Sequence, residues 1–403
     1  MTYELEFWSA AFKANAPAHF AQLRADEPVK LIHLPHRGPV WLVSRYEEAM
    51  QVLKDPRFIK DWRKLTPEQI EQSMGVNEEA MLLMTNMLNA DPPEHTRLRS
   101  LVHKAFTPRY LEQLRPRVQA ITDELIDRVQ ARGEMDLVEE FAFPLPITVI
   151  SEMLGIPAEL RDTFRGWVDT ILIQDPGADP TTRERTGAAT QGIAGLLLRL
   201  FEERRAAPTD DLIGRLVQVE EQGERLNSQE LLAMAMVLLL GGYETTANLI
   251  GNGMLALLTS PEQLALLKAR PELVESAVEE FLRFDSPAEF TTDRYTAEEV
   301  ELGGVRIPSG ATVLAVLSAA NRDGQRFPEP DRLQIDRADN RHLAFGYGVH
   351  YCVGAPLARL EGQIAFSTLL ARLPNLRLAA DPQQLRWRPS IIVRGVEALP
   401  VTF

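Results

Sequence analysis

The chain has 403 residues, 45% hydrophobic and 25% charged, the balance of a globular protein with a sizeable core; no linker divides it, so a single domain over 1–403 is expected. A net charge of −14 lacks the basic footprint of nucleic-acid binding and offers no attraction to an anionic membrane surface. One cysteine excludes an intramolecular disulfide and any multi-cysteine zinc or iron–sulfur centre.

Taken in chain order, Met1–Glu6 carries neither the basic nor the apolar segment of a signal peptide. Val29–Leu34 and Val40–Val43 read as strands of a hairpin around Pro35-His36-Arg37-Gly38. Asp91-Pro92-Pro93-Glu94 reads as an N-cap, two first-turn prolines and a capping-box acid. Asp175–Thr186, polar and turn-rich, reads as a mobile surface loop. Asn227–Glu230 opens a long apolar helix that Ser260-Pro261 ends. Glu244, Asn248 and Asn252 interrupt its apolar face, which predicts a buried helix rather than a membrane span. Pro271-Glu272 opens a further helix that should stop before Ser286-Pro287. Turns at Gly303-Gly304 and Pro308-Ser309-Gly310 divide a second β region over Val300–Leu317. The pattern is mainly α with a small β region, in a cytoplasmic protein without a membrane anchor.

The chemistry centres on Phe345-Gly346-Tyr347-Gly348-Val349-His350-Tyr351-Cys352-Val353-Gly354. Glycines there allow close backbone approach to a flat ligand, and Pro356 suits the first turn of a following helix. Cys352 then sits at a helix N-terminus, where the dipole and backbone N–H groups favour a thiolate. Read alone, a single cysteine is more often an inert core residue. The spacing F-x-x-G-x-x-x-C-x-G at Phe345, Gly348, Cys352 and Gly354 resembles the haem-binding loop of the cytochrome P-450 superfamily, in its soluble bacterial branch. In that family a cysteine thiolate holds the iron and favours O–O cleavage.

Other segments agree in order and spacing. Gly241-Gly242-Tyr243-Glu244-Thr245 lies mid-helix, with Met234, Leu238, Gly241, Gly242 and Thr245 on one face. Alone it reads more readily as a packing contact with a solvated glutamate; beside Cys352 it resembles the oxygen-activating helix. By that resemblance Thr245 hydrogen-bonds dioxygen and Glu244 relays protons. Glu280 and Arg283 share a helix face, an arrangement that alone is often a solvated pair. They resemble the family's structural E-x-x-R, with Arg337 as third member, a cluster implied to hold the cysteine loop. Asp91–Arg99 matches the stretch that supplies His95 and Arg99 to the haem propionates, and Arg294 and His350 match two further propionate contacts. Phe345 would pack on the porphyrin.

The resemblance spans nearly the whole chain and implies the triangular single-domain cytochrome P-450 fold around haem b (iron protoporphyrin IX). It implies a monooxygenase that hydroxylates or epoxidises an apolar small molecule such as a polyketide or macrolide, a terpenoid, a steroid or a fatty acid. NAD(P)H electrons would arrive through a ferredoxin and its reductase, docking near Arg109, Arg341 and Arg359. By analogy the substrate pocket draws on Met84–Leu88 (Met87, Leu88), Ile171–Ile173 (Ile173), Val237–Gly242 (Leu238, Gly241, Gly242), Ala288–Thr291 (Ala288, Phe290) and Ile391–Ile392 (Ile392). Glu289 or Asp293 could meet a cationic group such as an amino sugar, or simply brace a loop. A peroxide-driven peroxygenase and a non-catalytic haem- or ligand-binding protein are the alternatives, and the intact Glu244-Thr245 pair disfavours the first.

Overall fold

The strands Val29–Leu34 (β1) and Gly38–Val43 (β2) pair antiparallel from Val29↔Val43 to Leu34↔Gly38; β1 buries only its ends, Val29 and Leu34, whereas β2 buries Val40, Leu42 and Val43. The computed structural model describes residues 6–7, 9–34, 38–74, 84–172, 180–219 and 225–403, so the predicted turn at Pro35–Arg37 lies outside the described residues. The chain gathers into two compact units. One comprises Met1–Ile59, Pro116–Pro146 and Glu244–Phe403; the other comprises Lys60–Arg115 and Ile147–Tyr243.

All the described strands belong to the first unit. They are β1, β2, Phe58–Ile59 (β3), Glu134–Asp136 (β4), Arg294–Thr296 (β5), Val300–Leu302 (β6), Val305–Ile307 (β7), Thr312–Ala315 (β8), Arg377–Leu378 (β9) and Pro400–Thr402 (β10). The largest sheet runs β1-β2-β8-β5-β3, with smaller sheets β4-β10-β9 and β6-β7. β8 is buried along its whole length and pairs parallel with β2 (Val40↔Thr312), which ties the N-terminal hairpin to the late β region. One core cluster gathers Val43, Val52, Val313, Ala315 and Phe327. A second gathers Phe7, Phe12, Phe20, Leu314 and Phe290.

The second unit is helical. Pro180–Ala206 packs on Arg161–Leu172 and Leu212–Gln218, and Arg204 Nε meets Asp211 at 2.8 Å. Asp211 also caps the last helix by accepting from Gly214 N at 2.7 Å.

The helix Ser228–Leu258 opens on a reciprocal capping box. Glu230 N donates to Asn227 Oδ1 and Asn227 N to Glu230 Oε2, both at 2.9 Å. Among the described residues it is the one helix long and apolar enough to cross a membrane, yet 72% of its apolar window is buried inside the protein. It is a core helix, with Asn252 Nδ2 donating to Arg394 O at 2.9 Å.

Two local expectations are corrected. The helix after Asp91 spans Glu94–Ala105 with Pro93 as its cap residue, so the prolines precede it. Asp91 does not cap it, because its carboxylate accepts from Lys60 N at 2.8 Å and Asp61 N at 3.2 Å and pairs with Lys64 at 2.9 Å. Thr186 is not in a loop: the helix begins at Pro180, and the Thr186 and Thr190 hydroxyls donate to carbonyls one turn back at 3.0 and 2.9 Å. Residues 175–179 of that expected loop lie outside the described residues.

Candidate active site

Cys352 is exposed, where an inert core cysteine would be buried. Its backbone is fixed, since Cys352 N donates to Phe345 O at 2.9 Å and closes the loop on itself. Gly346 (φ +71°) and Gly348 (φ +74°) supply left-handed turns that a side chain would strain, and a Cβ on Gly348 would also meet Leu53 O at 3.0 Å. The helix Ala355–Arg372 follows, with Gly354 as its cap residue and Pro356 in its first turn. The N-terminal end of a helix dipole favours a thiolate at such a position.

Upstream, Glu280 is buried on Val274–Phe284 and accepts twice from Arg283, both at 2.8 Å, and from Arg337 Nε at 3.1 Å. Gln334 N and Asn340 Nδ2 complete its carboxylate at 2.8 and 3.2 Å. Arg283 also donates to the carbonyls of Asn321 at 3.0 Å and Pro330 at 2.8 Å. The expected triad therefore assembles, but its bonds end on residues 321–340, short of the cysteine loop. The adjacent Glu279 instead pairs with Arg359 and His342, which flank the cysteine loop on either side. Only the acid's position next to Glu280 could have signalled this in the sequence.

On the helix Ser228–Leu258, Gly241 is exposed while Leu238, Gly242 and Thr245 are half-buried, and all share one face of an otherwise buried stretch. A Cβ on Gly241 would have nothing within 4 Å. Glu244 is buried on the flank of that face, and burial pushes its carboxyl up to about 7 despite some opposing pull from Arg388. Tyr243 is buried, with its hydroxyl donating to Asp169 Oδ1 at 2.8 Å.

The remaining expected residues divide between the units. In the second, His95 is buried, Arg99 donates to His103 Nε2 at 3.1 Å, Met87 is buried and Leu88 half-buried. In the first, Arg294 is buried in β5 with Nη1 donating to Phe58 O at 3.3 Å, and His350 is half-buried. Ala288 and Ile392 are half-buried and lie on segments joined by the bond from Glu289 N to Ile392 O at 2.8 Å. Ile173 lies outside the described residues.

Phe290 is corrected from pocket to core, since its ring stands edge-on to Phe7 and Phe20 at 5.7 and 5.8 Å. Of the two roles open to Glu289, its burial and its bond to Lys13 favour bracing over ligand recognition. Of the expected basic patch, Arg341 is paired with Asp339 and Arg359 with Glu279, while Arg109 is exposed.

Among the described residues no cluster of three or more His, Cys, Asp or Glu could hold a bare metal ion. An exposed thiol at a helix terminus, outside any such cluster among the described residues, fits a metal that brings its other ligands in a macrocycle. The glycine-lined face of Ser228–Leu258 fits a flat or bulky group by the same reasoning. A cytochrome P-450 family model matches residues 18–270 and 267–384.

The chain belongs to the cytochrome P-450 family. The monooxygenase PikC of Streptomyces venezuelae is 47% identical over 97% of this chain and 91% of its own length. The vitamin D(3) 25-hydroxylase of Pseudonocardia autotrophica is 46% identical over 100% of this chain and 97% of its own. A myxobacterial cytochrome P-450, solved with myristic acid, has a TM-score of 0.92 and 45% identity, covering 99% of this chain and 98% of its own. This cytochrome P-450 is accordingly a haem monooxygenase of the bacterial type, mainly α with small sheets, that draws NAD(P)H electrons through redox partner proteins.

Proposed function

We propose that this cytochrome P-450 works as one catalytic domain in the cytoplasm, takes electrons from a ferredoxin and its reductase, and hydroxylates or epoxidises an apolar secondary metabolite. The carrying observation is Glu244, a buried acid held near neutrality beside the accessible Gly241–Thr245 face. An acid of that strength exchanges protons readily at pH 7, which is what a proton relay requires. The bound haem supplies the iron at which dioxygen is reduced and cleaved.

Cys352 holds that iron through its thiolate, with Phe345 beside the macrocycle. His95, Arg99, Arg294 and His350 hold the propionates through charge-assisted hydrogen bonds. Thr245 positions a proton at the oxygen-binding side and Glu244 resupplies it. Substrate lies against Leu238, Gly241, Gly242, Ala288, Ile392, Met87 and Leu88. The apolar character of these residues, a relative named for vitamin D(3) and a neighbour solved with myristic acid support a polyketide, terpenoid, steroid or fatty-acid substrate. With Glu289 held by Lys13, recognition of a cationic substrate group falls to Asp293.

The test is the ferrous–carbon monoxide spectrum. The unaltered protein should absorb at the thiolate-specific position and Cys352→His should not; an unchanged band in that variant would refute the ligand assignment. Turnover with a ferredoxin system but not with peroxide alone separates the monooxygenase from a peroxygenase. Haem binding without coupled oxygen consumption would identify a non-catalytic protein.

A further inference from the structure

The Glu279 carboxylate on Val274–Phe284 accepts two parallel bonds from Arg359, Nε at 2.7 Å and Nη2 at 2.8 Å, and faces His342 Nε2 at 3.2 Å. Arg359, one turn into Ala355–Arg372, reaches onward in two directions. Its Nη1 donates to the Tyr351 hydroxyl at 3.1 Å, and its guanidinium lies 4.6 Å from the centroid of the Phe345 ring. The Phe345 and Tyr351 rings meet edge-on at 6.2 Å, while His342 Nδ1 accepts from Ala344 N at 3.2 Å. Phe345 O in turn holds Cys352 N. One carboxylate thus commands both sides of the cysteine loop.

Burial pushes Glu279 up, but the bonds and charges of Arg359 and His342 outweigh it and leave it at about 2, so the anchor stays ionised at working pH. A planar fork is needed at position 359, since lysine would keep the charge but lose both the bidentate bond and the stacking on Phe345.

We propose that Glu279 and Arg359 are positioning residues that fix Phe345 and Cys352, and thereby set the durability of thiolate ligation and the reduction potential of the haem. This rests on Cys352 being the iron ligand. In the substrate-free holoprotein, Glu279→Gln and Arg359→Lys should begin with the thiolate carbon monoxide band. They should lose it about tenfold faster than the unaltered protein, the equivalent of one charge-assisted hydrogen bond. Redox titration should show a displaced midpoint in both. A double variant no worse than the worse single one would show that the two act through each other.

Band lifetime and midpoint unchanged in both variants would overturn the proposal while leaving Cys352 as ligand. Absence of the band in the unaltered protein would overturn the ligand assignment and this inference with it. If Glu279→Gln loads no haem, Arg359→Lys decides alone by the same readings.

Discussion

Glu280 on Val274–Phe284 and Glu244 on Ser228–Leu258 are both buried glutamates of the first unit, and their surroundings treat them oppositely. Glu280 has both oxygens occupied by Arg283, Arg337, Gln334 N and Asn340. Among the described residues no hydrogen-bond donor is seen at the Glu244 carboxylate, and Arg388 acts on it only through its charge. A carboxylate satisfied on every side works as a fixed joint, whereas one buried without donors is poised to carry a proton. Isolation alone does not make an acid functional. Glu361 is also buried, with Oε2 lacking a partner among the described residues, and burial pushes it to about 8. Glu244 differs in lying next to the accessible face that holds Gly241 and Thr245.

The largest effect is expected at Glu280. Glu280→Ala leaves the buried Arg283 without its counter-charge, a loss on the order of 3–5 kcal/mol. The expected outcome is little or no haem-loaded protein, measured as haem absorbance per polypeptide after purification. Normal haem occupancy would show that the joint is dispensable.

Glu289 is the intermediate case. It is fully buried with Lys13, yet its Oε1 has no partner among the described residues. Burial pushes Glu289 up and Lys13 down, the opposing attraction between them notwithstanding, so burial biases the pair toward its neutral form. Lys13→Met should therefore be relieved when Glu289 takes a proton, and the loss should be about 1–3 kcal/mol, that of one unsatisfied polar group. Denaturant titration measures it. Lys13→Met with Glu289→Leu should recover most of that loss, and a double variant as unstable as the sum of both singles would refute the coupling.

Glu280 and Glu289 also differ in how legible they were in the sequence. Glu280 and Arg283 are three apart, and helical geometry makes such a pair readable before any fold is known. Cys352, Gly348 and Gly354 were readable through the resemblance their spacing carries, because the backbone demands of that loop fall within ten residues of one another. Lys13 and Glu289 are 276 positions apart, and nothing local links them, so Glu289 was open to a substrate role until the fold brought Lys13 to it. Phe290 failed for the same reason, since its partners Phe7 and Phe20 come from the opposite end of the chain. Asp91 looked like a helix cap because the residues after it suited one. Its carboxylate instead serves backbone about thirty positions earlier.

Glu244→Gln should reverse the sign of the stability effect. The folded pKa of Glu244 is raised from 4.5 to about 7, so its contribution to stability is fully present below the unfolded value and is lost as pH rises through about 7. Glutamine has no such term. The variant should match the unaltered protein near pH 5 and become slightly more stable than it by pH 8, in contrast to any truncation at Glu280. Function should move the other way. The protonated acid is the form that donates, so turnover of the unaltered enzyme should fall as pH rises through about 7. Glu244→Gln should turn over more slowly by on the order of 10²-fold, the low end for a positioned proton donor, and without that limb. Oxygen uptake and product formation followed from pH 5.5 to 8.5 decide it. A variant that keeps the alkaline limb would place the titrating group elsewhere and remove the distinction between the two glutamates.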